Sequence, residues 1–118
     1  MIILADTSVW VDHFRDGCPE LAQRLIKGEI LMHPWIIGEL AMGNLQGRET
    51  VLSFLRLLPS VAPAGDGEAS QLIESKRLWG RGLGWIDVHL LASALLANCR
   101  LWTFDKRLCS AAGELGLN

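Results

Sequence analysis

The sequence lacks any apolar stretch of the roughly 18 residues that a membrane-spanning helix needs, so no membrane partner is expected. Its start, Met1 to Trp10, carries Asp6 and no basic cluster, which argues against a cleaved export signal and for a cytoplasmic protein. Cysteine is scarce: Cys18, Cys99 and Cys109 are odd in number and irregular in spacing, which supports neither a disulfide framework nor a zinc site. Repeats, low-complexity segments and linkers are missing too, so residues 1–118 are expected to form one domain. Neither sign of charge dominates. A net charge of −2, from 13 acidic and 11 basic residues, taken alone argues against a nucleic-acid partner.

What the sequence has in plenty is apolar side chains, which make up 50% of its 118 residues and include five tryptophans. A chain of this size can bury a real core. Its apolar pattern changes period along the way. Residues 1–5 form a continuous aliphatic run of the kind found in a buried parallel strand. A helix is expected from Thr7 to Arg15, then a break at Gly17 and Pro19, then a second helix through Leu21, Leu25 and Ile26 that stops at Gly28. Glu29 to His33 reads as a short strand, and Pro34 suits the first turn of a helix running to Asn44. Glu49 to Leu58 reads as helical. Pro59 to Gly67 has the one loop-like composition in the chain, with a brief strand at Ser60 to Ala62. Glu68 to Trp79 is expected to be a helix, interrupted by Gly80, Gly82 and Gly84. Asp87 to Asn98 follows as the clearest helix, then a strand from Arg100 to Phe104 and a closing helix from Lys106 to Leu115. Short strands alternating with helices point to an α/β fold built on a parallel sheet.

Four carboxylates stand where charge is costly. Asp6 ends the first apolar run and Asp105 follows Leu101-Trp102-Thr103-Phe104. Glu39 is the sole ionisable side chain between Trp35 and Gly43, and Asp87 opens the apolar stretch Val88 to Ala97. An ionised carboxylate in apolar surroundings must be paired, hydrogen-bonded or bound to a metal. Asp6, Asp87 and Asp105 each precede an expected helix, so N-capping explains each of them taken singly. Glu39 has no such explanation. Open α/β sheets bind ligands beyond the carboxyl ends of their strands, where Asp6 and Asp105 fall. Hard oxygen donors there suit Mg²⁺ or Mn²⁺. Taking those four from the 13 acidic residues leaves nine against 11 basic, so the remaining surface can still attract phosphates. Thr7, Ser8 and Thr103 stand close enough in sequence to orient a carboxylate. His13, His33 and His89 read as ordinary surface or packed residues.

Four segments in order carry a resemblance: Ala5-Asp6-Thr7-Ser8-Val9-Trp10, Gly38-Glu39-Leu40-Ala41-Met42-Gly43, Trp85-Ile86-Asp87-Val88-His89-Leu90-Leu91-Ala92-Ser93-Ala94 and Leu101-Trp102-Thr103-Phe104-Asp105-Lys106. Together they resemble the PIN-domain nucleases, and more narrowly the VapC toxins of bacterial toxin–antitoxin pairs. The resemblance implies a three-layer PIN-like α/β fold, a short central parallel sheet flanked by helices. It also implies Mg²⁺ or Mn²⁺ dependence, endonucleolytic cleavage of structured RNA, homodimerisation and inhibition by a cognate antitoxin. Carried over by motif, Asp6, Glu39, Asp87 and Asp105 are the catalytic, metal-binding acids, with Ser8 and Thr103 in support. The chain is short for that family, so its closing edge strand is expected to be missing or rudimentary. Arg15, Lys76, Arg77, Arg81, Lys106 and Arg107 are the basic side chains proposed for the RNA backbone. Two other classes compete. A Mg²⁺-binding phosphoacceptor signalling domain would need adjacent acids after the first strand, and Asp6 is followed by Thr7. A non-catalytic interaction module would use the surplus tryptophans Trp10, Trp35, Trp79 and Trp85 as a docking patch.

Overall fold

The aliphatic start of the chain becomes β1, Ile3–Ala5, the central strand of a three-stranded parallel sheet. Its neighbours are β2, Ile30–Leu31, and β3, Arg100–Trp102, in the order β2-β1-β3. The register pairs Ile3 with Ile30 and Arg100, and Leu4 with Leu31 and Leu101. All three residues of β1 are buried, as a strand covered on both faces requires. The computed structural model describes all 118 residues. Seven helices surround the sheet: α1 Thr7–Asp16, α2 Pro19–Ile26, α3 Pro34–Met42, α4 Arg48–Leu57, α5 Asp66–Lys76, α6 Trp85–Ala97 and α7 Lys106–Glu114. This is the expected three-layer α/β arrangement. Twenty-nine buried residues make one core, with Leu4, Trp10, Leu21, Ile36, Leu55, Leu91 and Leu108 fully enclosed.

The strands are shorter than their apolar runs. The expected strand at Ser60 to Ala62 reduces to a single bridge between Ser60 and Met32. Beyond Trp102 the chain turns away, because the Phe104 amide donates to Ser8 Oγ at 3.0 Å rather than to a neighbouring strand. Outside β3 the sheet is extended by one bond, Leu101 N–H to the Leu117 carbonyl at 2.8 Å, so the closing edge is rudimentary. Two helix boundaries are also displaced. α5 stops at Lys76, three residues before Trp79, because Arg77 takes the left-handed conformation at φ 53°. α6 starts at Trp85, so Asp87 neither opens nor caps it. Asp87 lies in the first turn and reaches back to accept from the Gly84 amide at 2.9 Å.

Two histidines lie inside. His33 Nδ1 accepts from the Trp35 amide at 3.1 Å, which leaves its proton on Nε2, directed at Ser93 Oγ 3.0 Å away. Burial, with the nearby His89 adding to it, pushes the His33 pKa down to about 4. A base whose folded pKa lies below its unfolded value favours the folded state at high pH. Stability from this site is therefore present above pH 6.5 and lost as pH falls from there toward 4, by about 3 kcal/mol in all. The imidazole C–H proton of His33 should hold one NMR shift from pH 7.5 to 5; a midpoint near 6.5 would refute the assignment.

Candidate active site

The site begins where β1 ends. Because all three strands are parallel, the segments leaving them (Asp6, His33 to Trp35, and Thr103 to Asp105) emerge at one carboxyl edge of the sheet. α6 leads into β3 from the opposite edge, which puts its first turn, with Asp87, toward this one.

Asp6 is the N-cap of α1 and only 5% exposed. One carboxylate oxygen accepts from the Ser8 amide at 3.0 Å, the Val9 amide at 3.4 Å and Ser8 Oγ at 2.5 Å. The other accepts from Thr103 Oγ1 at 2.7 Å. Both hydroxyl protons are thereby committed to Asp6, and the hydroxyl oxygens accept in turn. Ser8 Oγ takes the Phe104 amide and Thr103 Oγ1 takes the Asp105 amide, each at 3.0 Å. Two of these bonds, Thr103 to Asp6 and Phe104 to Ser8, sew the start of α1 to the end of β3. Burial raises the Asp6 pKa above the usual aspartate value, although the hydrogen bonds from Ser8, Thr103 and Val9 oppose it. Desolvation wins because no basic side chain stands beside Asp6.

The other three acids occupy separate elements. Glu39 projects from α3 and accepts from Thr7 Oγ1 at 2.5 Å, joining α3 to the residue beside Asp6. Asp105 caps α7 by accepting from the Arg107 and Leu108 amides at 2.9 and 3.0 Å. Asp87 is held by Gly84, as described above. Capping does not use up the carboxylate, since Asp6 caps a helix with one oxygen and meets Thr103 with the other. Thr7 is expected from the sequence to orient a carboxylate, and the one it meets is Glu39, 32 positions away, rather than its neighbour Asp6.

The donors suit a hard cation. None of the four carboxylates has an ion-pair partner, whereas Asp12, Asp16, Glu20, Glu29 and Glu114 all do. No three His, Cys, Asp or Glu side chains stand close enough to form a closed cage. Glu39, Asp87 and Asp105 are instead turned to a hydroxyl or to backbone amides. The fit therefore rests on an all-oxygen donor set and on a buried, uncompensated Asp6.

The basic side chains divide in two. Arg15 is paired with Asp12 and Asp16, and Arg81 grips Glu114 through both nitrogens. Lys76, Arg77, Lys106 and Arg107 have no ion-pair partner, and the last two open α7 directly after Asp105.

Comparison with known proteins agrees with this arrangement. A family model described as PIN domain matches residues 3–114. The chain is also similar to Ribonuclease VapC32 of Mycobacterium tuberculosis, in strains CDC 1551 / Oshkosh and ATCC 25618 / H37Rv, at 44% identity over 117 residues, 98% of this chain and 94% of the relative. A parallel sheet with an acid at the end of its first strand, a whole-length family match and this level of identity place the chain in the PIN-domain family, among the VapC-type ribonucleases.

Proposed function

We propose that this protein is a Mg²⁺- or Mn²⁺-dependent endoribonuclease, the toxin of a type II toxin–antitoxin pair, that hydrolyses structured RNA at the carboxyl edge of its sheet. The observation that carries the reading is Asp6: an almost fully buried carboxylate, fixed by two hydroxyls and two amides, with no protein cation to balance it. The similarity to a ribonuclease over nearly the whole chain supports it from outside.

Asp6, Glu39, Asp87 and Asp105 would hold the cation through oxygen, the donor type that Mg²⁺ and Mn²⁺ favour. When bound, such a cation lowers the pKa of water and offsets charge on the phosphate oxygens. Ser8 and Thr103 keep Asp6 in one orientation, so no rotamer search accompanies substrate entry. Thr7 does the same for Glu39. Lys106 and Arg107, beside Asp105, would meet the RNA backbone, with Lys76 and Arg77 as further contacts. Arg15 and Arg81 would have to leave their carboxylates first.

Ile26, Met42 and Leu57 are more than four-fifths exposed, which supports covered faces in a homodimer and with an antitoxin. No helix is long and apolar enough to cross a membrane. A cytoplasmic location accords with an RNA substrate. Incubating the purified chain with total RNA and mapping the new ends tests the reading. Cuts at defined positions should appear with Mg²⁺ or Mn²⁺ and vanish in EDTA; the same cuts persisting in EDTA would overturn it.

A further inference from the structure

We propose that Trp35 and Trp85 form a nucleobase-stacking subsite beside the carboxylates, gripping bases that flank the phosphodiester to be cut. The proposal rests on the nuclease reading and adds a ligand contact to it.

Five tryptophans are distributed unequally. Trp10 is wholly enclosed in the core, whereas Trp35 and Trp85 remain 46% and 48% exposed. Both rest on the same buried ring. His89 is 1% exposed and meets Trp85 edge to face with centroids 4.5 Å apart at 81°, and Trp35 in the same manner at 6.0 Å and 74°. Two large aromatic rings are thus half uncovered and held against one immobile support. A platform already ordered loses little conformational entropy when a ligand stacks on it.

Their position selects the ligand. Trp35 follows β2 and lies in the first turn of α3, at the same carboxyl edge as Asp6 and Asp105. Glu39 is four residues farther along that helix, on the same face and about 6 Å along its axis. Trp85 is the first residue of α6 and shares its opening turn with Asp87. A strand whose phosphate reaches these acids would run beside both helix starts, and so beside both indoles. Every base offers a π-face, so stacking tolerates any sequence, and unpaired or splayed-out bases are the ones free to stack. Trp79 and Phe104 are exposed as well, at 60% and 50%, but neither packs on His89, whereas Ile26, Met42 and Leu57 are aliphatic and suit a protein partner rather than a base.

The test compares RNA with a polyanion that has no bases. Binding of a 12-nucleotide single-stranded RNA is followed by fluorescence anisotropy in Ca²⁺, with long-chain inorganic polyphosphate as the competitor. Trp35→Ala and Trp85→Ala should each weaken RNA binding roughly tenfold or more, within the ~1–3 kcal/mol that stacking one base contributes. Polyphosphate affinity should not change. Trp35→Phe and Trp85→Phe should keep most of the RNA affinity, which guards against a folding defect in the alanine variants. RNA affinity unchanged in both alanine variants would overturn the proposal. So would equal losses for RNA and polyphosphate, or a change of mass in light scattering that marks the face as a contact between copies. Failure of the underlying reading looks different: the unaltered chain would leave RNA intact in Mg²⁺ and Mn²⁺ alike.

Discussion

Asp6→Asn should leave RNA uncut and yet raise the melting temperature of the metal-free protein. The two effects share one cause. Burial lifts the folded-state pKa of Asp6 above the ordinary 3.8, so the folded protein holds that proton more tightly than the unfolded chain does. Protonated Asp6 therefore favours the fold, and this contribution is complete below the unfolded pKa and lost as pH rises through the folded one. At neutral pH the ionised carboxylate is a standing cost. Asparagine removes the charge while keeping the contacts. Its carbonyl can accept from the Ser8 and Val9 amides, and its NH₂ can donate to Thr103 Oγ1, whose own proton then turns to Ser8 Oγ 3.3 Å away. Each kcal/mol relieved should raise the melting temperature by roughly 4 °C in a domain of this size. Activity should fall about 10³-fold or more, the counterpart of roughly 4 kcal/mol of lost transition-state stabilisation. Calorimetry in EDTA and a cleavage assay in Mg²⁺ check the pair. A variant that melts lower than the parent, or that still cleaves, contradicts the role given to Asp6.

Thr103→Val should lower the cleavage rate about 10- to 100-fold, the usual cost of losing a hydrogen bond that orients a metal ligand. Valine matches threonine in shape but cannot donate to the second oxygen of Asp6 or accept from the Asp105 amide. The loss strikes two of the proposed site residues at once. Asp6 becomes free to rotate, and the backbone that carries Asp105 loses its anchor. Leaving the buried Asp6 carboxylate short of a donor costs about 1–3 kcal/mol as well, so this variant should be less stable than the parent, opposite in sign to Asp6→Asn. Ser8→Ala should behave similarly, because Ser8 Oγ links Asp6 to the Phe104 amide. The kinetic signature is a lower kcat together with a higher Mn²⁺ requirement, and Thr103→Ser should restore most of both. Full activity in Thr103→Val would show that Asp6 needs no such support.

Much of this was legible in the sequence because local rules decide it. The run ending in Ala5, the proline that opens α3 and the left-handed Gly17 and Gly28 place their elements within a residue or two. Aspartate before a helix predicted the caps at Asp6 and Asp105. The misplacements arise where a contact overrides periodicity. The strand expected to reach Phe104 ends at Trp102 because the Phe104 amide finds Ser8 instead. The helix expected to start at Asp87 gains Trp85 and Ile86 because the Asp87 carboxylate folds back on Gly84. Long-range pairing left no local trace at all. Nothing near Glu39 announces Thr7, and nothing near Arg81 announces Glu114, 33 positions on. Nor does apolar content say which tryptophans enter the core. Trp10 does, and Trp35, Trp79 and Trp85 do not.

A structure determined from crystals grown with Mn²⁺, using data collected at the manganese absorption edge, tests the central claim most directly. An anomalous peak is expected at the carboxyl edge of the sheet, held by Asp6 and at least one of Glu39, Asp87 and Asp105. Manganese bound only elsewhere, under conditions in which the same preparation cuts RNA, would contradict it.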